Sequence, residues 1–79
     1  MYFVYILQSE EGKNYYVGHA KDLGIRLKQQ NDGKVTSTKS RRPWKIVHRE
    51  KLETKQEAYR RELQIKSYKG GEAFRKLLK

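Results

Sequence analysis

Residues 2–19 decide the fold, and they read YFVYILQSEEGKNYYVGH. Residues 2–8 and 14–19 are rich in aromatic and β-branched side chains, which favour β-strands. The polar segment between them, residues 9–13, contains one glycine and has the length of a hairpin loop. This stretch therefore predicts an antiparallel hairpin at the start of the domain.

Side-chain alternation along the two strands predicts that Tyr5 and Tyr16 meet on one face of the hairpin. Gly18 falls on that face beside Tyr16, where it would leave room for a phosphate, and His19 falls on the opposite face. Tyrosines in strands are often simple cross-strand packing partners. A phenol can also relay a proton or bind a phosphate oxygen, and alternation does not choose between these roles.

The rest of the chain predicts one more strand and three helices. These elements are a helix over residues 23–31, a strand over 44–52, and helices over 55–68 and 72–78. Asp22 suits the N-cap of the first helix, and Thr54 with Glu57 forms a capping box for the second. The order β-β-α-β-α-α indicates an α+β fold, with helices packed on a three-stranded antiparallel sheet, in a single domain of residues 1–79.

The charge points to a polyanionic partner. Nineteen Lys and Arg against nine Asp and Glu give a net charge of +10 on 79 residues, and such a field attracts nucleic acid. A membrane-surface binder would concentrate its charge on an amphipathic helix with exposed apolar bulk. The longest apolar run, residues 3–7, is too short to cross a bilayer. There is no signal segment and no cysteine, so we expect a cytoplasmic protein.

Glu62 is a carboxylate within an apolar pattern. Helical periodicity over residues 55–68 predicts an apolar arc with Glu62 near its centre, made of Ala58, Tyr59, Leu63 and Ile65. Burying an unpaired carboxylate is costly. Glu62 therefore needs a Lys, Arg or Tyr partner, or a bound metal ion, and periodicity leaves both open.

The first predicted helix carries two polar side chains along the edge of its apolar stripe. Leu23 and Leu27 form that stripe, and Arg26 and Gln30 lie one turn apart beside it. Arg26 would either extend to solvent, pair with Glu62, or clamp a phosphate and stabilise charge in a transition state.

A basic stretch interrupted by Trp44 follows this helix. Its members are Lys34, Lys39, Arg41, Arg42, Lys45 and Arg49. Such a stretch is often only a solvated loop, but at a net charge of +10 contact with a phosphate backbone is at least as well supported. His19 and His48 lack the spacing of metal ligands, so both are predicted to be structural or exposed.

These residues, in this order, resemble the GIY-YIG nuclease superfamily, and in particular its small stand-alone bacterial members. Those members are related to the nuclease domain of the excision-repair endonuclease subunit. The resemblance rests on Val4-Tyr5-Ile6, Tyr16-Val17-Gly18, Arg26 and Glu62, and it covers almost the whole chain. Each tripeptide alone is weak evidence, whereas the ordered set is specific.

The resemblance implies hydrolysis of DNA phosphodiesters with one divalent ion, Mg²⁺ or Mn²⁺, and no small-molecule cofactor. Glu62 is implied to hold the metal, Arg26 to stabilise the pentavalent transition state, and Tyr5 and Tyr16 to take the phenol roles, one assisting as base. Gln30 stands where many members have histidine and some have tyrosine. A glutamine there can donate a hydrogen bond but cannot take a proton near neutral pH.

The sequence thus predicts a DNA-binding, metal-dependent endonuclease that acts as a monomer through its own basic surface. Two alternatives stay open. The first is a catalytically weak or inactive module that binds DNA structures on the same fold, which Gln30 favours. The second is a small basic protein that docks on RNA or a ribosome. Arg26 and Glu62 favour the enzyme.

Overall fold

The computed structural model describes residues 1–10, 12, 14–33 and 43–78. Its elements are β1 (Tyr2–Ser9), β2 (Tyr15–Ala20), α1 (Leu23–Asn31), β3 (Trp44–Leu52), α2 (Lys55–Ser67) and α3 (Glu72–Leu77). The predicted order β-β-α-β-α-α and the α+β class are confirmed, and each helix or strand boundary lies within one residue of its predicted position.

The three strands form an antiparallel sheet in the order β2-β1-β3. β1 is central, and its residues from Val4 to Leu7 are at most 1% exposed. Tyr5 lies opposite Gly18 of β2 and Arg49 of β3. β2 is consequently an edge strand, with one side of its backbone unpaired within the sheet.

Helices cover both faces of the sheet. The even-numbered side chains of β1 face α2 and α3, where Ala58, Ile65 and Phe74 complete one apolar core. The odd-numbered side chains face α1, whose Leu23 and Leu27 pack against a second core. Successive residues of a strand therefore belong to different layers, and alternation decides which helix each side chain can reach.

A β-bulge in β3 changes which residues share a face. Ile6 lies opposite His48 and Leu7 opposite Ile46, so one extra residue of β3 is inserted at this point. Because of the bulge, Lys45 and Arg49 lie on opposite faces of the sheet. Arg49, opposite Tyr5, lies on the face that α1 covers.

Both predicted helix caps are present. The Asp22 side chain accepts a hydrogen bond from the Ile25 backbone N–H at 3.0 Å. Thr54 Oγ1 accepts one from the Glu57 backbone N–H at 3.2 Å and donates to Glu57 Oε1 at 3.0 Å. Among the described residues, no helix is long and apolar enough to cross a membrane.

The predicted apolar arc of α2 is too wide. The buried side chains of this helix are Ala58, Glu62 and Ile65, whereas Tyr59 is 51% exposed and Leu63 is 47% exposed. The reason is that the sheet covers only a narrow strip of the helix, with the spacing i, i+4, i+7. Glu62 therefore lies in the buried strip itself.

Candidate functional site at the edge of the sheet

Two phenols and a guanidinium meet on the face of the sheet that α1 covers. Arg26 Nε donates a hydrogen bond to the Tyr5 hydroxyl at 3.3 Å, and the Tyr5 and Tyr16 ring centroids are 6.3 Å apart. Tyr5 is buried, whereas Tyr16 and Arg26 are only partly so. Tyr5, Tyr16 and Arg26 are called the phenol–guanidinium cluster below. The predicted approach of Tyr5 and Tyr16 is confirmed.

Gly18 gives room to Tyr5 rather than to a phosphate. A Cβ atom at this position would lie 2.7 Å from the Tyr5 hydroxyl oxygen and 2.9 Å from its Cζ. These distances are shorter than any ordinary carbon contact, so the absence of a side chain at Gly18 is what lets the Tyr5 ring lie against β2. The prediction that Gly18 leaves room for a phosphate is therefore wrong, because the Tyr5 ring occupies that space.

Burial raises the pKa of the Tyr5 phenol, and the hydrogen bond and positive charge of Arg26 offset only part of that shift. Tyr5 thus keeps its proton at neutral pH. Because its oxygen already accepts a hydrogen bond from Arg26, the Tyr5 O–H is left as a donor. The same hydrogen bond raises the pKa of Arg26, whose guanidinium stays charged.

A second cluster lies on the opposite face, which α2 covers. Glu62 is 8% exposed, its Oε1 lies 2.7 Å from His19 Nδ1, and its Oε2 accepts a hydrogen bond from Lys66 Nζ at 2.7 Å. His19, Glu62 and Lys66 are called the carboxylate cluster below. Of the partners that the sequence left open for Glu62, the structure shows a lysine, and it does not show a Glu62–Arg26 pair.

The sequence did not predict the partners of Glu62. His19 lies on the face opposite Tyr16, as alternation predicted, and its contact with Glu62 was missed because the two residues are 43 positions apart. Lys66 stands four residues after Glu62, a spacing that brings side chains together on a helix. That spacing is the sequence signal from which the Glu62–Lys66 pair could have been predicted.

The two clusters lie on either side of the edge strand β2. Tyr16 of the first cluster and His19 of the second both belong to this strand and point to opposite faces. The Glu62 charge contributes to the raised pKa of Tyr5, after burial and Tyr16. The two clusters therefore have β2 as their common strand.

Asn31 fixes the end of α1 against the sheet and so helps to place Arg26. Its side-chain oxygen accepts a hydrogen bond from the Trp44 backbone N–H at 2.6 Å, and its side-chain nitrogen donates to the Trp44 carbonyl at 3.1 Å. The amide thus pairs with the first residue of β3 as another strand would. α1 is thereby tied to the sheet at both its apolar stripe and its last residue.

Gln30 differs from the other predicted site residues. It is 0% exposed, and neither its side-chain oxygen nor its side-chain nitrogen has a hydrogen-bond partner among the described residues. Burial on this scale argues against direct contact between Gln30 and a substrate. Its predicted catalytic role stays untested.

The predicted basic stretch is only partly described. Lys34, Lys39, Arg41 and Arg42 lie outside the described residues. Lys45 and Arg49 are exposed on β3, and the bulge places them on opposite faces. Arg49 alone of these two is on the face of the phenol–guanidinium cluster. His48, the other histidine predicted to be structural or exposed, is bonded to Glu50 through Nε2 at 2.8 Å.

The family model of the GIY-YIG catalytic domain matches residues 1–73. The chain belongs to the GIY-YIG family. UPF0213 proteins from the Staphylococcus aureus strains Mu3, Mu50 and N315 are each 44% identical to it over 68 residues, which are 85% of this chain and 82% of theirs. The solution NMR structure of a UPF0213 protein from Bacillus halodurans covers 92% of this chain and 90% of its own, at 31% identity and a TM-score of 0.49.

Membership of the GIY-YIG family indicates a nuclease-like function. Val4-Tyr5-Ile6 and Tyr16-Val17-Gly18, the tripeptides that carry the resemblance, lie on the paired strands β1 and β2. In this fold those tripeptides bring the two phenols and Gly18 onto a single face.

Glu62 offers the hard oxygen donors that a divalent ion such as Mg²⁺ accepts. The described residues contain no group of three or more His, Cys, Asp and Glu side chains that could enclose an ion. Mg²⁺ retains several waters and needs only one or two carboxylates, so the single carboxylate of Glu62 suffices. The Lys66 side chain is 50% exposed but that of Glu62 is only 11% exposed, so an ion that displaces Lys66 must itself neutralise this carboxylate.

Proposed function

We propose that this GIY-YIG protein is a DNA endonuclease that hydrolyses phosphodiester bonds with one divalent ion, Mg²⁺ or Mn²⁺. The observation that carries the proposal is the placement of the phenol–guanidinium cluster and the nearly buried Glu62 on either side of one edge strand. A nucleic acid strand that follows the outer edge of β2 would lie within reach of both groups.

Arg26 is proposed to bind and stabilise the phosphate that is cleaved. Its Nε is directed to Tyr5, so the orientation of the guanidinium is fixed before substrate binds. The guanidinium also interacts with Tyr16, and its terminal nitrogens can donate to phosphate oxygens in the paired geometry that guanidinium favours. Negative charge grows on those oxygens during phosphoryl transfer, and a preoriented cation stabilises it most in the transition state.

The two tyrosines are proposed to have different roles. Tyr5 is buried and retains its proton, so it holds Arg26 and can donate its own O–H to a phosphate oxygen or to the attacking water. Tyr16 is the more accessible phenol. It is the better placed of the two to relay a proton, taking one from the attacking water as its own phenolic proton passes to solvent.

Glu62 is the residue proposed to hold the divalent ion, with waters and the phosphate completing the coordination. When bound, such an ion polarises the phosphate and lowers the pKa of water. The His19 contact with Oε1 holds the carboxylate in place from the side of β2. Lys66 balances the charge of Glu62 in its present conformation.

The test is a cleavage assay with Mg²⁺ or Mn²⁺ on plasmid, single-stranded, branched and flap DNA. Glu62→Gln should abolish cleavage, and Arg26→Lys should lower the rate by about a hundredfold or more, because lysine cannot donate two parallel hydrogen bonds. Glu53→Gln and Arg60→Lys change exposed residues of the same types and should leave the rate unchanged. Absence of metal-dependent cleavage on every substrate would reject the proposal.

Gln30→Leu tests whether the buried amide participates. Leucine has a similar size and leaves no buried polar atom unpaired, so we expect normal cleavage and a free energy of unfolding raised by about 1 kcal/mol. A cleavage rate at least tenfold lower in a folded variant would support the catalytic role that the sequence predicts for Gln30.

A DNA-binding module without cleavage activity is the second candidate function. The observation that favours it is that both carboxylate oxygens of Glu62 are already engaged, by His19 and Lys66. DNA binding that is retained in Glu62→Gln, together with no cleavage by the unchanged protein, would select this candidate.

A further inference from the structure

A cleft of about 340 Å³ opens along the outer edge of β2. Tyr15, Tyr16 and Val17 line one wall, and Ile65 and Phe74 also line the cleft, so it lies between the edge strand and the helices α2 and α3. The opposite wall holds Lys66 at the end of α2, with Lys69 and Gly70 in the turn that follows. The cleft thus shares Tyr16 with the phenol–guanidinium cluster and Lys66 with the carboxylate cluster.

The cleft has an apolar part, to which Ile65 and Phe74 belong, and its charged lining residues are suited to an anion. None of the described lining residues is acidic, and two are lysines. Lys66 is bound to Glu62, whereas the Lys69 ammonium forms no ion pair with any carboxylate in the described residues. Lys69 is therefore a cation that the fold itself leaves unneutralised beside the cleft.

Lys69 also has an unfavourable backbone conformation. Its φ is +50°, and it is the only described residue other than glycine with a positive φ. Glycine and asparagine are the residues that this left-handed conformation favours after a helix, and Gly70 next to it has a φ of +75°. A lysine with positive φ lowers stability, and unfavourable conformations of this kind concentrate at functional sites.

We propose that this cleft is a second phosphate-binding subsite, in which Lys69 holds the phosphodiester next to the one that lies between Arg26 and Glu62. The inference rests on the proposed function, since it assumes a DNA strand along the edge of β2. Unpaired backbone N–H groups on the outer side of this strand are available as additional donors to the same phosphate. Because the cleft and the two clusters all lie along β2, the bound DNA strand would run along this strand.

Lys69→Asn separates binding from stability, because it removes the charge and supplies a residue suited to positive φ. We expect its Tm to rise by a few degrees. We also expect the slope of log Kd against log salt concentration for a labelled flap DNA, measured in EDTA to prevent cleavage, to become shallower by about one. Lys69→Gly should show both effects. The rise in Tm is expected from the backbone conformation alone, so the salt slope is the readout that tests the subsite.

Lys55→Asn is the matched control. It removes an exposed lysine from the other end of α2, and its salt slope should stay closer to that of the unchanged protein. An unchanged slope in Lys69→Asn, or an equal reduction in Lys55→Asn, would overturn the subsite. If the unchanged protein shows no salt-dependent DNA binding at all, the proposed function fails, and that result is distinct from the failure of the subsite alone.

Discussion

At the scale of single residues, Gly18 is the position where side-chain volume decides the geometry of the site. Its backbone lies against the Tyr5 ring, and Gly18→Ala would place a Cβ 2.7 Å from the Tyr5 hydroxyl oxygen. We expect this change to lower the free energy of unfolding by about 1–3 kcal/mol, as overpacking does. It should also lower the cleavage rate, because Tyr5 must move away from Arg26. Denaturant unfolding monitored by circular dichroism measures the first effect.

Gly24→Ala is the control for that change. Gly24 lies near the start of α1, and a Cβ there would meet Asp22 Oδ1 at 3.4 Å, an ordinary contact. Alanine in a helix is more stable than glycine by up to about 1 kcal/mol. The two alanine variants should therefore change stability in opposite directions. Equal effects would mean that the contact with Tyr5 does not determine the need for glycine at position 18.

The sequence predicted individual site residues to the extent that strand or helix periodicity determines their contacts. Side-chain alternation along the strands was enough to predict that Tyr5 and Tyr16 lie close together. The burial of Gln30 was not predictable in the same way, because a position at the edge of a helical stripe becomes buried or exposed according to how closely the sheet approaches. The His19–Glu62 contact joins a strand to a helix far along the chain, and no local pattern specifies it.

At the scale of secondary-structure elements, an ion pair joins α2 to β3. Arg61 donates two hydrogen bonds to the carboxylate of Glu50, at 2.7 and 2.9 Å, and His48 contacts the same carboxylate. The hydrogen bond from Arg61 lowers the pKa of Glu50 below its usual value of 4.5. The carboxylate is partly exposed, so the pair contributes about 1 kcal/mol to stability, toward the upper end for exposed pairs.

Glu50→Gln is predicted to remove a contribution to stability that depends on pH. A carboxyl group whose pKa is lowered by folding stabilises the protein above its unfolded pKa of about 4.5, and that contribution disappears as the pH falls through the folded pKa. The variant should thus be less stable by about 1 kcal/mol at pH 7, and the difference should shrink below pH 4.5. Thermal unfolding at several pH values measures it, with Glu53→Gln as an exposed control. A difference independent of pH would contradict this account.

Secondary structure and its order were predictable from strand propensity, helix caps and glycine positions, all of which act locally. The features that arise where neighbouring elements pack together were not predictable from the sequence. The bulge in β3 puts Lys45 and Arg49 on opposite faces, although the sequence places them four residues apart in one strand. The narrow contact between α2 and the sheet likewise leaves Tyr59 and Leu63 exposed, although their periodicity matches that of the buried residues. Both depend on how neighbouring elements fit, which propensity does not encode.

At the scale of the whole molecule, charge and architecture favour the same surface. The net charge of +10 attracts a polyanion from any direction, so it does not by itself choose a site. The edge of β2 is where the fold adds specific groups to that field, because Arg26, Lys66 and Lys69 all lie beside it. The attraction of the net charge and the contacts made by these three side chains therefore act on DNA at the same strand, β2.

Because the net charge supplies the long-range attraction, we predict that the affinity for DNA falls steeply as the salt concentration rises. If about six basic side chains each neutralise one phosphate of a duplex, the slope of the log of the association constant against log salt concentration should be about −5. Fluorescence anisotropy with labelled duplex DNA between 50 and 200 mM salt, in EDTA, measures it. Arg26→Lys should keep nearly the same slope, since the charge is retained, while losing cleavage. A slope near zero would show that charge does not supply the affinity, and binding would then depend on contacts with bases or on DNA shape.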